Sequence, residues 1–120
     1  MKIRNLIVGA LFAACICAIA VAIGGFAFLQ TGNQHVVKFS GKKYSPNTLT
    51  VNIGDVITWQ GDFSEHPLSL ISAPKGAATF SHIQKGSSYS YTVHVAGNYR
   101  YECDMHADEG MAGSFTAVAK

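Results

Sequence analysis

Gly97-Asn98-Tyr99-Arg100-Tyr101-Glu102-Cys103-Asp104-Met105-His106-Ala107-Asp108-Glu109-Gly110-Met111-Ala112-Gly113 contains the only cysteine outside an apolar N-terminal run. A histidine follows it after three positions and a methionine five beyond that. Ahead of the cysteine, Tyr99, Tyr101 and Cys103 alternate with Asn98, Arg100 and Glu102, the period of a half-buried strand. That phase turns Cys103 inward with the tyrosines, as a buried thiolate ligand requires. Thiolate, imidazole and thioether on one short loop suit a soft, redox-active metal. With a second imidazole they make the His2Cys set with weak axial Met of blue-copper electron-transfer sites. The loop supplies Cys103, His106 and Met111, so the other histidine must come from elsewhere.

Upstream, residues from 34 onward read as short alternating strands separated by turn residues, which predicts an all-β sandwich or barrel. Val37 and Phe39 alternate with Lys38 and Ser40 in the first strand, and a loop follows over Gly41–Asn47. Leu49, Val51 and Ile53 mark a second strand, Gly54-Asp55 a turn, and Val56-Ile57-Thr58-Trp59-Gln60 a third strand rich in β-branched and aromatic residues. Leu68, Leu70 and Ile71 follow His66-Pro67. Residues 72–87 are broken by Pro74, Gly76 and Gly86, with a short strand expected around Thr79–Ile83. Tyr89, Tyr91, Val93 and Val95 alternate with polar partners, and the last strand covers about Ser114–Ala119. No helix is expected in this part. Four histidines compete for the remaining metal position. His94 shares the solvent phase of Ser90 and Thr92, and His35 lies near the start of the domain. His66 and His82 both stay open on this reading.

A chain of 120 residues holds one domain at most. Lys2 and Arg4 precede an uncharged, almost wholly apolar run from Leu6 to Leu29. As a helix this run would extend roughly 36 Å, enough to cross a bilayer. It is longer than the h-region of a signal peptide, about 7–15 residues. We therefore expect residues 1–29 to be a transmembrane anchor, 30–34 a short linker and 35–120 the exported domain, with a cleaved leader as the competing reading. The positive residues would stay inside, placing the domain on the periplasmic or extracellular side of the cell membrane. The remainder carries seven basic and seven acidic residues and is formally neutral, which gives no argument for nucleic acid. Cys15 and Cys17 lie in the apolar run, so Cys103 has no disulfide partner within the domain. A lone thiol in an exported domain is an oxidation liability unless buried or metal-bound.

Two sets of residues carry a resemblance. The first is Pro46-x-x-Leu49-Thr50-Val51-x-x-Gly54-Asp55-x-Ile57-Thr58-Trp59 followed by His66. The second is Gly97-x-Tyr99-x-Tyr101-x-Cys103-x-x-His106-x-x-x-x-Met111. Over roughly residues 34–119 the chain resembles the plastocyanin/pseudoazurin group of cupredoxins. The resemblance implies an eight-stranded Greek-key β-sandwich with one type 1 copper at one end. It also implies His66 as the first ligand, since it follows the third strand, with Cys103, His106 and Met111 completing the set. Two positions depart from the family's pattern. Pro67 stands where Asn is common, and Met105 where Pro is common.

By this resemblance the protein is a one-electron carrier cycling between Cu(I) and Cu(II), with His106 as the electron port. Its partner would be a redox protein such as a c-type cytochrome or a membrane oxidase or reductase complex. A copper chaperone or store is the alternative function, and zinc the alternative metal, for which Met111 would be a poor ligand. No His-x-His pair, Ser-His-Asp set, phosphate loop or carboxylate pair points to an enzyme or a small-molecule substrate. Ala107, Gly110, Ala112 and Gly113 are small enough to leave the port open. Six of the seven acids (Asp62, Glu65, Glu102, Asp104, Asp108 and Glu109) lie within four residues of a proposed ligand, so an acidic copper end is expected. Lys42 and Lys43 are expected to blunt it. Finally, the third strand leads to His66, and the first strand should run the same way. The domain's start would then lie at the end opposite the copper.

Overall fold

Alternating apolar residues can be buried only if a second layer covers them, and eight short strands here divide into two such layers. The structure is a computed structural model and describes residues 32–120. The strands are β1 (Gln34–Ser40), β2 (Lys43–Ser45), β3 (Thr48–Asn52), β4 (Val56–Gln60), β5 (Leu68–Ser72), β6 (Ser88–Thr92), β7 (Gly97–Cys103) and β8 (Ala112–Val118). One sheet has the order β2-β1-β4-β6 and the other β3-β8-β7-β5. The chain crosses between sheets at every connection except the first and the last. Neither sheet can therefore form without the other. The all-β sandwich expected from the sequence is present. The expected transmembrane helix lies outside the described residues. Among the described residues no helix is long and apolar enough to cross a membrane.

Register fixes which end each strand points to. β1 pairs parallel with β4, Gln34 opposite Val56 and Lys38 opposite Gln60. β7 pairs antiparallel with both β5 and β8, placing Leu68 opposite Cys103 and Gly113 opposite Tyr101. The inward phase of β7 buries Tyr99, Tyr101 and Cys103, as its alternation predicts. Val37, Ile57 and Trp59 of the other sheet pack in the same core, and Phe115 lies beside Tyr99 on the neighbouring strand. Tyr99 stacks on Phe115 at 4.3 Å, and Tyr101 meets Trp59 and Tyr44 edge-on at 5.1 and 4.9 Å. Offset and edge-to-face pairs of this kind fill a core while matching the ring quadrupoles. Gly113 is required beneath Tyr101, because an added Cβ would fall 2.2 Å from the Tyr101 hydroxyl.

Several elements differ from the sequence expectation. The loop expected over Gly41–Asn47 contains β2, whose Tyr44 is buried against Phe39 and Tyr101. Three residues between turn signals are too few to show a period. The strand expected around Thr79–Ile83 reduces to a single bridge between Ile83 and Leu68. Helical geometry does occur, as one 3-10 turn at Ala107–Glu109. Gln34, expected in the linker, is already the first residue of β1.

Candidate metal centre

His66 owes its position to the turn that follows β4. The Asp62 carboxylate accepts from the Ser64 backbone N–H at 2.9 Å, and the Asp62 carbonyl accepts from His66 N–H at 3.0 Å. This is an Asx turn, in which a short acid satisfies its own backbone two residues on. Hydrogen bonds from the Ser64 hydroxyl and N–H hold the Asp62 carboxyl below its usual range. The turn brings His66 in edge-on to Phe39 at 5.9 Å and leaves it 8% exposed.

The other donors come from the β7–β8 connection. Cys103, the last residue of β7, is buried. His106 N–H donates to the Cys103 carbonyl at 3.3 Å, and Met111 N–H donates to the His106 carbonyl at 3.2 Å. Cys103 N–H in turn donates to the Met111 carbonyl at 3.0 Å. A closed ring of backbone bonds thus links the three loop residues. Gly110 closes the 3-10 turn in left-handed geometry (φ 90°), with its N–H on the Ala107 carbonyl.

The side chains converge. Cys103 Sγ lies 3.4 Å from His106 Nδ1 and 3.8 Å from His66 Nδ1, and the two Nδ1 atoms are 3.2 Å apart. An ion held in a trigonal plane by bonds of about 2.0–2.3 Å needs its donors about 3.5–3.8 Å apart. One observed edge is that length and the other two are a few tenths of an ångström shorter. The triangle has two imidazole nitrogens and one sulfur, a donor set suited to copper. The fully buried Met111 stands beside it in sequence and in the backbone ring. His66, Cys103 and His106 form the single cluster of metal-ligating groups among the described residues.

The remaining histidines lie elsewhere. His35 Nε2 meets the buried Asp55 carboxylate at 2.9 Å, far from this cluster in the fold. His94 is exposed, as its strand phase predicts. His82 Nδ1 contacts the Asp104 carboxylate at 2.8 Å. That contact spans 22 residues of sequence and has no local signal.

The surroundings grade from dry to wet. On the core side, burial pushes the Tyr101 hydroxyl up to about 12. The Tyr44 hydroxyl is raised still further, by burial first and then by the nearby Cys103 and Tyr101. Both hydroxyls and the Trp59 indole N–H are buried. On the outer side, His106 is half-buried and opens onto a shallow depression bordered by Gly41, Lys42, Ser64 and Met105. Met105 is 61% exposed. None of Ala107, Gly110, Ala112 and Gly113, the small residues expected around the port, borders this opening, and Gly113 is buried under Tyr101. Lys42 pairs with Glu109, whose carboxyl is held below its usual range chiefly by that bond. Lys42 thus offsets one of the six acids near the proposed ligands, and Asp104 meets the His82 ring.

A two-sheet sandwich carrying a His-Cys-His triangle at one end defines a small mononuclear metalloprotein with a soft, redox-active site. Residues 33–118 match the model of the family described as copper binding proteins, plastocyanin/azurin family, and the chain belongs to that family. It is a cupredoxin-like blue copper protein whose cofactor is one type 1 copper ion. The chain is 30% identical over 110 residues to chloroplastic plastocyanin of Tetradesmus obliquus, covering 80% of this chain and 75% of the relative. It is 31% identical over 74 residues to amicyanin of Paracoccus denitrificans, covering 59% and 56% of the two chains. Among solved structures, an amicyanin variant in its reduced state superposes with a TM-score of 0.58 at 28% identity, covering 71% and 82%. Pseudoazurin from Methylobacterium extorquens AM1 superposes with the same TM-score at 21% identity, covering 71% and 75%.

Proposed function

We propose that this protein is a membrane-anchored, exported carrier of single electrons, and that His66, Cys103, His106 and Met111 hold its copper. The observation that carries this reading is the triangle of His66 Nδ1, Cys103 Sγ and His106 Nδ1, in which only the His106 side opens to solvent. When bound, the copper supplies a one-electron couple. The chain's residues hold the donors and exclude water. β4, β7 and the backbone ring fix three donor segments before any metal arrives, so the arrangement has little freedom to change with oxidation state. Such preorganisation reduces the rearrangement that accompanies electron transfer. His106, half-exposed and in contact with the Cys103 sulfur, is the shortest route from the buried thiolate to a partner docked over Met105 and Lys42. The partner is a redox protein, for which a c-type cytochrome or a membrane oxidase or reductase complex has suitable chemistry. The donor set and the family support a carrier rather than an enzyme.

Anchoring is supported by the apolar run Leu6–Leu29 behind Lys2 and Arg4. Recovery of the intact chain in alkali-washed membranes would bear it out, and recovery of a soluble form lacking that run would replace the anchor by a cleaved leader. The copper reading is tested by adding Cu(II) to the full chain and to Cys103→Ser. An intense visible thiolate-to-copper band, bleached by a mild reductant and missing from the variant, is expected. A weak spectrum indifferent to Cys103→Ser would overturn the assignment. Slow copper exchange with a chelator separates a carrier from a chaperone or store.

A further inference from the structure

Two chain segments carry the triangle, and the residue after His66 joins them through its backbone carbonyl. Pro67 has no N–H, and its carbonyl accepts from Asp104 N–H at 2.8 Å. The Asp104 carboxylate points instead to a third segment, where its Oδ2 lies 2.8 Å from His82 Nδ1. A carboxylate facing the ring requires that Nδ1 carry the proton and donate.

The segment bearing His82 is fastened to the first strand turn after His66. Leu68 and Ile83 exchange backbone bonds at 3.0 and 2.9 Å. His82 N–H donates to the hydroxyl of the buried Ser69 at 2.9 Å. His82 itself has a left-handed backbone (φ 54°), and among the described residues it is the one non-glycine residue with positive φ. Such a conformation persists where its surroundings over-determine it, and it clusters at functional positions. Here it aims the ring away from β5 and at the cysteine loop.

We propose that His82 is a positioning residue for the metal centre, fixing the Cys103–His106 turn against the strand that follows His66 through its bond to Asp104. The proposal rests on the reading that Cys103 and His106 hold copper. Exposed ion pairs contribute little in general because two mobile side chains must be held in one geometry. That objection is weaker here. The His82 side chain is 69% exposed and that of Asp104 24%, but both backbones are fixed, His82 by Ser69 and the Ile83 bridge and Asp104 by Pro67. Groups bonded directly to a metal ligand typically carry about 10–100-fold in metal affinity, and a clamp on the residue next to Cys103 acts at or below the low end of that range.

Two substitutions separate side chain from backbone. His82→Gly removes the ring and relaxes the left-handed backbone. His82→Asn tolerates that backbone and returns an amide N–H near the place of Nδ1. In the copper-free full chain, His82→Gly should speed hydrogen exchange of the Asp104 and His106 amides several-fold, and His82→Asn should restore it. In the Cu(II)-loaded chain, His82→Gly should lose copper to a chelator up to about tenfold faster and shift the charge-transfer spectrum. Again His82→Asn should recover the native behaviour. Adding Asp104→Ala to His82→Gly should change neither readout further, because both remove the same bond. Native exchange and native copper loss in His82→Gly would overturn the proposal, as would equal defects in the Gly and Asn variants. If the native chain gave no Cys103-dependent band, the copper reading would fall, and exchange in the copper-free chain would still decide the clamp.

Discussion

Asp55 occupies the turn between β3 and β4, and its one carboxylate serves three donors. Oδ1 accepts from Asn33 N–H, and Oδ2 accepts from Asn52 N–H and from His35 Nε2, each at 2.9 Å. The group is 1% exposed. Burial pushes its pKa upward, but the bonds from Asn52, His35 and Asn33 together outweigh that and hold it below the ordinary value of 3.8. A carboxyl depressed on folding stabilises the native state while ionised. Its contribution is present above the unfolded pKa and is lost as pH falls from about 3.8 through the lower folded value. Denaturation of the copper-free domain followed against pH should show this loss below about pH 4. Asp55→Asn should be less stable at neutral pH by about 1–3 kcal/mol, since an amide nitrogen would face a donor. It should also lack that acid-dependent component. A variant with an unchanged acid profile would show that the carboxylate does not govern it.

Most elements were legible because their signal is local. β4 has the expected span, read from its β-branched and aromatic content, and β7 matches the expected strand at its buried positions, since it contains a full period of alternation. The Cys103-x-x-His106-x-x-x-x-Met111 spacing is likewise carried by one connection. Its geometry makes a specific demand at Gly110, whose φ of 90° suits glycine alone, while space beside it is open. Gly110→Ala should therefore cost backbone strain without a clash, about 1–2 kcal/mol. For a domain of this size that corresponds to a melting point lower by roughly 4–16 °C. A substitution without thermal effect would mean that the turn relaxes freely. What the sequence concealed is nonlocal. β2 exists only because Tyr44 finds Phe39 and Tyr101, the His82–Asp104 contact needs β5 paired with β7 and bridged to Ile83, and His66 could be preferred to His82 by resemblance alone.

At the scale of the described domain, strand direction separates a pinned end from a metal end. β4 runs toward His66, and β1 is parallel to it, so Gln34, opposite Val56, lies at the far end. The Asp55 carboxylate fastens that end, and the N–H of Val56 donates to the Asn33 carbonyl at 2.9 Å. β1 then rises about 20 Å over its seven residues before Gly41 and Lys42 border the depression beside His66 and His106. Cu(II) is paramagnetic and broadens nearby amide resonances steeply with proximity. In the Cu(II)-loaded protein, the amides of Gly41, Lys42, Ser64 and Met105 should be broadened. Those of Asn33, Gln34, Asn52 and Asp55 should stay sharp, and reduction to Cu(I) should restore the first group alone. Broadening centred on Asp55 and His35 would place the metal at the wrong end and remove His66 from the site. With the expected pattern, His106 lies at the end of the described domain opposite Gln34.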